Sequence, residues 1–337
     1  MADVIELRTP YLLFLGSAKS ALSAKTAAGV AYWRPEQCRA QLRLDEQTVD
    51  LGLTDMTVRD AAAAGCGTFV IGLAPVGAYL PESWVSLCVE ALESGMDIAS
   101  GLHVRVGAIP AIAEVAKRTG CRVLDVREPP SNLPCGTGRK RTGKRLLTVG
   151  TDCCVGKMFS ALAIDAELRR RGVKSTFRAT GQTGILIQGS GLAVDAVVSD
   201  FLSGSVEVLA PDNDADHWDV IEGQGSLFHP AYAAVSLGLL HGAQADVLVL
   251  CHELGRTDID GDYVGYPIPD MEEVIATNLN LARRTNRNAT LAGFSVNSSN
   301  LGEKQALAAM AKLEDAHNVP VVDPVRTGVA KLVDQLR

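Results

Sequence analysis

A chain of 337 residues is too long for one ordinary domain and suits two. An apolar fraction of 47% and a charged fraction of 21% are ordinary for a globular protein that buries a full core. A net charge of −7 argues against nucleic-acid binding through bulk charge, and no apolar run reaches the roughly 18 residues that a membrane span needs.

The first six residues are acidic and lack the basic-then-apolar pattern of a secretory signal, so a cytoplasmic location is expected. Tyr11–Leu15 reads as a strand and Ser17–Ala28 as a helix. Thr57–Ala64 reads as helix, Thr68–Leu73 as strand, Ser83–Glu93 as helix and Asp97–Ala99 as strand. Ala111–Arg118 then reads as helix and Arg122–Val126 as strand. Strands separated by helices imply parallel βαβ units. From Glu128 to Gly143 the chain is rich in Pro, Gly and basic residues and has neither period, which marks a junction. The boundaries expected are a first α/β domain over 1–128, a linker over 129–143 and a second α/β domain over 144–337. Arg139, Lys140 and Arg141 in that linker read as solvated charges, with a nucleic-acid arm as the lesser reading.

The alternation resumes with strand Arg145–Val149, helix Lys157–Arg171, strand Val173–Arg178 and a helix over Leu192–Phe201. A strand ends over Asp219–Glu222, followed by helix Ala233–His241 and strand Asp246–Cys251. Helix Met271–Arg283, strand Thr290–Val296, helix Glu303–Ala316, strand Val319–Val322 and helix Gly328–Leu336 complete the chain. Near-continuous apolar strands predict a parallel sheet covered on both faces. The eight cysteines are scattered, with Cys153 and Cys154 adjacent and no CxxC, so buried thiols are expected rather than a zinc site.

The strongest signal is the run from Leu146 to Lys157, a strand entering a turn closed by Gly156 and Lys157 before a helix. Backbone N–H groups in such a turn, the helix N-terminus and the lysine together cradle phosphate. The expected cradle is Gly150, Thr151, Asp152, Cys153, Cys154, Val155, Gly156, Lys157 and Met158. A tight turn with an exposed lysine is the purely structural reading. Met158 stands where such loops carry the Ser or Thr that ligates Mg²⁺. A thioether is a poor ligand for a hard cation, so phosphate binding without metal is expected.

Three later stretches follow apolar strands and should share the ligand edge. They hold Arg178, Gln182 and Thr183; Glu222 and His229; and His252 and Arg256. Glu222 is suited to act as general base or metal carboxylate, the histidines as proton acceptors, and the arginines as carboxylate clamps. Loop hydrogen bonding, core histidines and internal ion pairs are the structural alternatives.

The loop from Gly150 to Met158, the string Ala179–Gly184, the long string Asp216–Pro230 and Gly238–Gly242 together resemble the DUF1611 family. The loop also resembles that of dethiobiotin synthetase, which has Thr after the lysine. The family resemblance implies a Rossmann-like N-terminal domain and a P-loop NTPase-like C-terminal domain with a parallel sheet. It also implies acetyl transfer from acetyl-CoA to the amino group of D-glutamate. On that reading Glu222, His229 and His252 are the catalytic candidates, while Arg178, Gln182, Thr183 and Arg256 bind the acceptor. Acetyl-CoA is the donor, no metal is required, and the partners are small molecules, with a homo-oligomer as the expected assembly. The competing readings are a Mg-ATP-dependent ligase or kinase, a nicotinamide oxidoreductase and a nucleotide-sensing module. The oxidoreductase needs GxGxxG after the first strand, where the chain offers only Gly16.

Overall fold

The computed structural model describes residues 5–20, 23–73, 80–259, 263 and 265–336. In chain order, β1 is Ile5–Glu6, β2 Tyr11–Gly16, α1 Lys25–Trp33, β3 Cys38–Arg43, β4 Thr54–Asp55 and α2 Val58–Ala63. Then follow β5 Thr68–Ile71, α3 Glu82–Glu93, β6 Asp97–Ser100, α4 Pro110–Thr119 and β7 Val123–Asp125. The second half begins with β8 Lys144–Gly150, α5 Lys157–Arg170, β9 Ser175–Arg178, α6 Gln182–Gln188, β10 Ser190–Gly191 and α7 Ser199–Leu209. It continues with β11 Trp218–Ile221, α8 Ala233–Ala243, β12 Val247–Glu253 and α9 Met271–Ala282. The last elements are β13 Thr290–Asn297, α10 Glu303–His317, β14 Val321–Val322 and α11 Ala330–Val333.

Two compact units result. The first takes the described chain up to Pro130 together with Gly181–Ala196; the second takes Ser131–Thr180 and the chain from Val197 onward. Each has a six-stranded, all-parallel sheet, so the α/β class and the covered parallel sheets read from the apolar strands describe both units.

In the first unit the order is β4-β3-β2-β5-β6-β7. All six residues of β2 are buried, and Leu12 and Phe14 from its face meet Phe69, Trp84 and Ile98 in the core. The N-cap Thr57 accepts a hydrogen bond from Asp60 N and starts α2 where expected. Two expectations shift. The helix expected over Ser17–Ala28 is Lys25–Trp33, with residues 21 and 22 outside the described chain. Ser20 Oγ accepts from Ser23 N at 3.2 Å, the kind of local side-chain bond that competes with helix. The strand Cys38–Arg43 went unread because its polar residues break the apolar period, yet Gln41 is fully buried and bonded to Asp50 and Leu51 N.

The segment 181–196 is the larger departure. The string read as a ligand-edge loop forms α6, whose Ile187 packs 3.3 Å from a Cβ placed on Gly29 of α1. Beyond it, β10 pairs antiparallel with β1. The helix expected over Leu192–Phe201 is therefore a short 3₁₀ turn at Val194–Ala196 and then α7, which runs on to Leu209.

In the second unit the order is β14-β13-β12-β8-β11-β9, with β8 central. The linker charges are not all solvated. Arg139 and Lys140 pair with Asp212 and Asp246 at the surface, but Arg141 is 4% exposed. Its guanidinium donates to the carbonyls of Val206 and Ala210 at the end of α7, and to those of Gly242 and Ala243 at the end of α8. The last carbonyls of a helix have no partner within it and carry negative partial charge. One arginine thus caps two helices, and its burial pulls its pKa down to about 10. Arg145, wholly buried at the start of β8, likewise donates to the carbonyls of Arg141, Thr142 and Pro211.

Arg141→Ala should therefore remove the side-chain donor from four buried carbonyls, of which Val206 O keeps Ala210 N, and lower the urea midpoint, at a cost on the order of 3 kcal/mol. Arg141→Lys should recover only part of it, because a point charge cannot span both helix ends. Equilibrium unfolding followed by circular dichroism reads both; a midpoint unchanged in Arg141→Ala would refute the capping role.

Candidate active site

The phosphate loop leaves the C-terminal end of β8. A Cβ on Gly150 would lie 2.9 Å from Val155 Cγ2 and 3.2 Å from Lys157 Nζ, so only glycine lets the loop close over the lysine. Cys154 and Gly156 take left-handed backbone, at φ +57° and +97°, and turn the chain into α5. Lys157 is buried, and its Nζ donates to the carbonyl of Asp152 at 2.7 Å. Burial pulls its pKa below the ordinary lysine value.

The loop rests on a polar bed. Thr151 Oγ1 lies 3.0 Å from His252 Nδ1, Thr151 N donates to Cys251 O, and Ser226 Oγ donates to Thr151 O at 2.9 Å. Ser160 Oγ donates to Gly156 O at 2.9 Å and lies 2.7 Å from Ser295 Oγ, so the only hydroxyl in the first turn of α5 is engaged beneath the loop. Burial first, and then the charge of Arg256, pull the His252 pKa down to about 4.

Glu222 follows β11 on the neighbouring strand. Its Oε2 accepts from Thr180 N at 2.9 Å, and Thr180 Oγ1 donates back to Glu222 O. Gly223 N donates to Thr148 Oγ1, and a Cβ on Gly223 would stand 1.7 Å from Thr148 O. That close approach fixes Glu222 against the end of β8. Glu222 and Gln224 then share a cavity of about 360 Å³ with Cys154, Lys157, Met158 and Phe159. A second cavity of about 250 Å³ opens on the other flank of the loop, walled by Val155, Phe159, Val296, Pro324 and Val325, with Asn297 at its edge. The strand order explains the two flanks: β11 lies on one side of β8, and β12, β13 and β14 lie on the other.

The remaining expected residues fall elsewhere. Arg178 ends β9 beside Ile221, but its Nε donates to Asp219 Oδ1 at 2.8 Å, two residues back along β11. The guanidinium therefore turns away from the loop edge, to a fully buried carboxylate. Arg256 Nη1 donates to Asp152 Oδ2 at 2.8 Å and to Cys153 O at 3.2 Å, and Nη2 pairs with Glu253. Both expected carboxylate clamps thus hold internal carboxylates. Gln182 and Thr183 lie on α6 of the first unit, where Gln182 packs on Gly101 and Thr183 Oγ1 is 3.4 Å from Thr26 Oγ1.

His229 is 2% exposed and packs between the rings of Tyr232 and Tyr263. Its Nδ1 accepts from Ala231 N at 3.1 Å, which leaves the proton of the neutral ring on Nε2. The neutral ring is then a donor at Nε2 rather than a base. His229, Asp152 and Cys153 bring ligand-type atoms within 4.8 Å of one another. A cation there would meet Arg256 already on Asp152, and burial raises the Cys153 pKa, which disfavours the thiolate a metal needs. The cysteines as a whole depart from the expected burial. Cys66, Cys88 and Cys251 are buried, Cys38, Cys121 and Cys153 are half-buried, and Cys135 and Cys154 are exposed.

Sequence reasoning did not find Thr180, Ser226, Ser295 or the Asp152–Arg256 pair. The signal for the first three, small polar residues at the ends of apolar strands, is present but common. The ion pair spans 104 positions and leaves no local trace.

Residues 134–333 match the family model described as a domain of unknown function, DUF1611_C, P-loop domain. Residues 36–129 match the one described as DUF1611_N, Rossmann-like domain. A protein of Tritonibacter scottomollicae named D-glutamate N-acetyltransferase is 51% identical over 330 residues, covering 98% of this chain and 99% of its own. One of a Pseudoalteromonas species with the same name is 44% identical over 332 residues, covering 98% of this chain and 100% of its own. A solved structure of a DUF1611 family protein from Anabaena variabilis superposes with a TM-score of 0.83 at 31% identity, covering 98% of this chain and 99% of that one.

The His252 environment sets a pH dependence. In the unfolded chain its pKa is near 6.5, and in the fold it is about 4. As pH falls the unfolded state takes up the proton first, so stability present above 6.5 is lost on the way to 4, at up to about 1.4 kcal/mol per pH unit. His252→Gln should lack this component. Urea unfolding at pH 7.5, 5.5 and 4.5 compares the slopes; equal slopes in both proteins would show that His252 is not held neutral.

Proposed function

This chain belongs to the DUF1611 family, and we propose that it is a D-glutamate N-acetyltransferase, moving acetyl from acetyl-CoA to the amino group of D-glutamate. Two relatives that match nearly end to end carry that name. The observation that carries the reading here is that the buried cation Lys157 and the buried carboxylate Glu222 wall one cavity, with Met158 where a phosphoryl-transfer loop has its metal-binding hydroxyl.

Coenzyme A carries a diphosphate, an adenine and a long arm ending in the thioester. In this reading the loop N–H groups and Lys157 hold the diphosphate, the apolar 250 Å³ cavity takes the adenine, and the arm enters the 360 Å³ cavity beside Glu222. A free amino acid is protonated at neutral pH, so its ammonium must lose a proton before nitrogen attacks the thioester carbon. Glu222, oriented by Thr180 N, is the group placed to take it. The C–N bond forms and the adduct nitrogen releases its second proton to solvent; the C–S bond breaks, and the proton held by Glu222 passes to the departing thiolate, giving CoASH. No step of this reaction calls for a metal.

Three measurements test this. Lys157→Ala should weaken CoA binding about ten- to a hundred-fold by calorimetry, the worth of a charge-assisted hydrogen bond. Glu222→Gln should cut kcat by about 10²–10⁴ while leaving CoA binding near that of the native protein. Acetyl transfer should persist in EDTA. Turnover that disappears in chelator, returns with Mg²⁺ and releases ADP from ATP would instead establish the ligase or kinase reading.

A further inference from the structure

Among the described residues Arg256 donates to Asp152 and Cys153 in the phosphate loop and to Glu253 at the end of β12. We propose that Arg256 is a positioning residue, whose guanidinium holds Asp152 and through it the loop geometry that receives the donor phosphates. The proposal rests on the proposed function only in taking the loop as the donor's phosphate site.

Asp152 is the hinge of this arrangement. It is fully buried, and a buried carboxylate is costly unless a cation and further donors satisfy it. Oδ2 receives Arg256 Nη1 at 2.8 Å, Oδ1 receives Cys153 N at 2.6 Å, and the carbonyl of the same residue receives Lys157 Nζ at 2.7 Å. Arg256 Nη1 also reaches Cys153 O. One guanidinium therefore holds both the Asp152 carboxylate and the carbonyl of the peptide that follows Cys153, while the Asp152 carbonyl sets where Lys157 rests.

The turn that carries Arg256 is itself anchored. Arg256 N donates to Glu253 O, Leu254 N donates to Asn297 O at the end of β13, and Asn300 Nδ2 donates to Leu254 O at 2.9 Å. Glu253 closes the fork from β12. An arginine meant to swing onto an incoming carboxylate would have to abandon a buried partner. Here both the partner and the backbone hold it in place.

The test uses the full-length protein with Arg256→Ala, Asp152→Asn, the double variant and Arg256→Lys. Three readouts are taken: CoA affinity by calorimetry, the separate KM values for acetyl-CoA and D-glutamate, and alkylation of Cys153 by iodoacetamide followed by peptide mass spectrometry. Arg256→Ala should weaken CoA binding about tenfold, the loss of one charge-assisted pair, and speed Cys153 alkylation, with the D-glutamate KM unchanged. Asp152→Asn should move the same readouts in the same direction. The double variant should be no worse than the worse single one, because both remove one interaction. Arg256→Lys, which keeps the charge but loses the fork, should fall between native and alanine and serves alone if Arg256→Ala does not fold. A raised D-glutamate KM with native CoA affinity and native Cys153 reactivity would overturn the proposal and make Arg256 an acceptor ligand. So would effects that simply add in the double variant. If the native protein does not bind CoA, the proposed donor falls, while Cys153 reactivity across the variants still decides whether Arg256 holds the loop.

Discussion

The site depends on keeping a lysine ammonium buried before any anion arrives. Lys157 is tolerated there because the carbonyl of Asp152 accepts its proton and because Gly150 and Gly223 leave room for its stem. Its depressed pKa shows that the arrangement is not fully compensated. The surrounding bed of Thr151, Ser160, Ser226, Ser295 and His252 holds the loop rather than the ligand. Central β8, flanked on both sides by parallel strands, supplies the rigidity on which such a loop relies.

That bed accounts for how much could be read from sequence. The loop from Gly150 to Met158, most helices and the central strands announced themselves through local chemistry: apolar runs, helical patterns and a GK pair. The place of Glu222 at the end of β11 beside the loop was legible in the same way, from an apolar strand running into Gly-Gln-Gly. Arg141 was misread because its partners, the ends of α7 and α8, lie 65 to 102 positions away. Arg178 and Arg256 were placed on the right strand ends, but a long side chain on the right strand can point either way. Which way it points is set by Asp219 and Asp152, and neither pairing leaves a spacing signal. The segment 181–196 misled for a different reason: its glycines suggest a ligand loop, while Ile185, Leu186 and Ile187 between them form a buried helical turn in the first unit.

Charge accounting explains the chemistry that the loop favours. A phosphoryl-transfer loop places a divalent cation between its hydroxyl and the phosphates. Here the hydroxyl position is Met158, the nearest serine is engaged below the loop, and the loop's own carboxylate is neutralised by Arg256. The positive groups that would face a phosphate are thus fixed parts of the chain, the Lys157 ammonium and the N–H dipoles of the loop. Fixed cations suit binding of an intact phosphate-bearing donor. They lack the mobile Lewis acid that helps a γ-phosphate leave. Transfer of an acyl group, the reaction proposed, requires no such help, because the bond broken is C–S and phosphates on the donor would serve only as anchors.

The same accounting couples donor binding to protons. Burial disfavours the charged form of Lys157, and the neighbouring Cys251, Cys153, Cys154 and Asp152 oppose that penalty only in part. A phosphate brought within a few ångströms favours the charged form again, since opposite charges at short range in a desolvated site interact far more strongly than in water. The lysine is therefore a better cation with the donor present than without it. Anion binding and lysine protonation reinforce each other, as linkage requires of two events that share one charge interaction. On the proposed assignment such a loop would discriminate by charge as well as by shape, because an acyl donor without its phosphates would gain the cavity contacts but leave the buried lysine without an anion. The glycine at 150 and the carbonyl of Asp152, both local features of nine residues, are what make that discrimination possible.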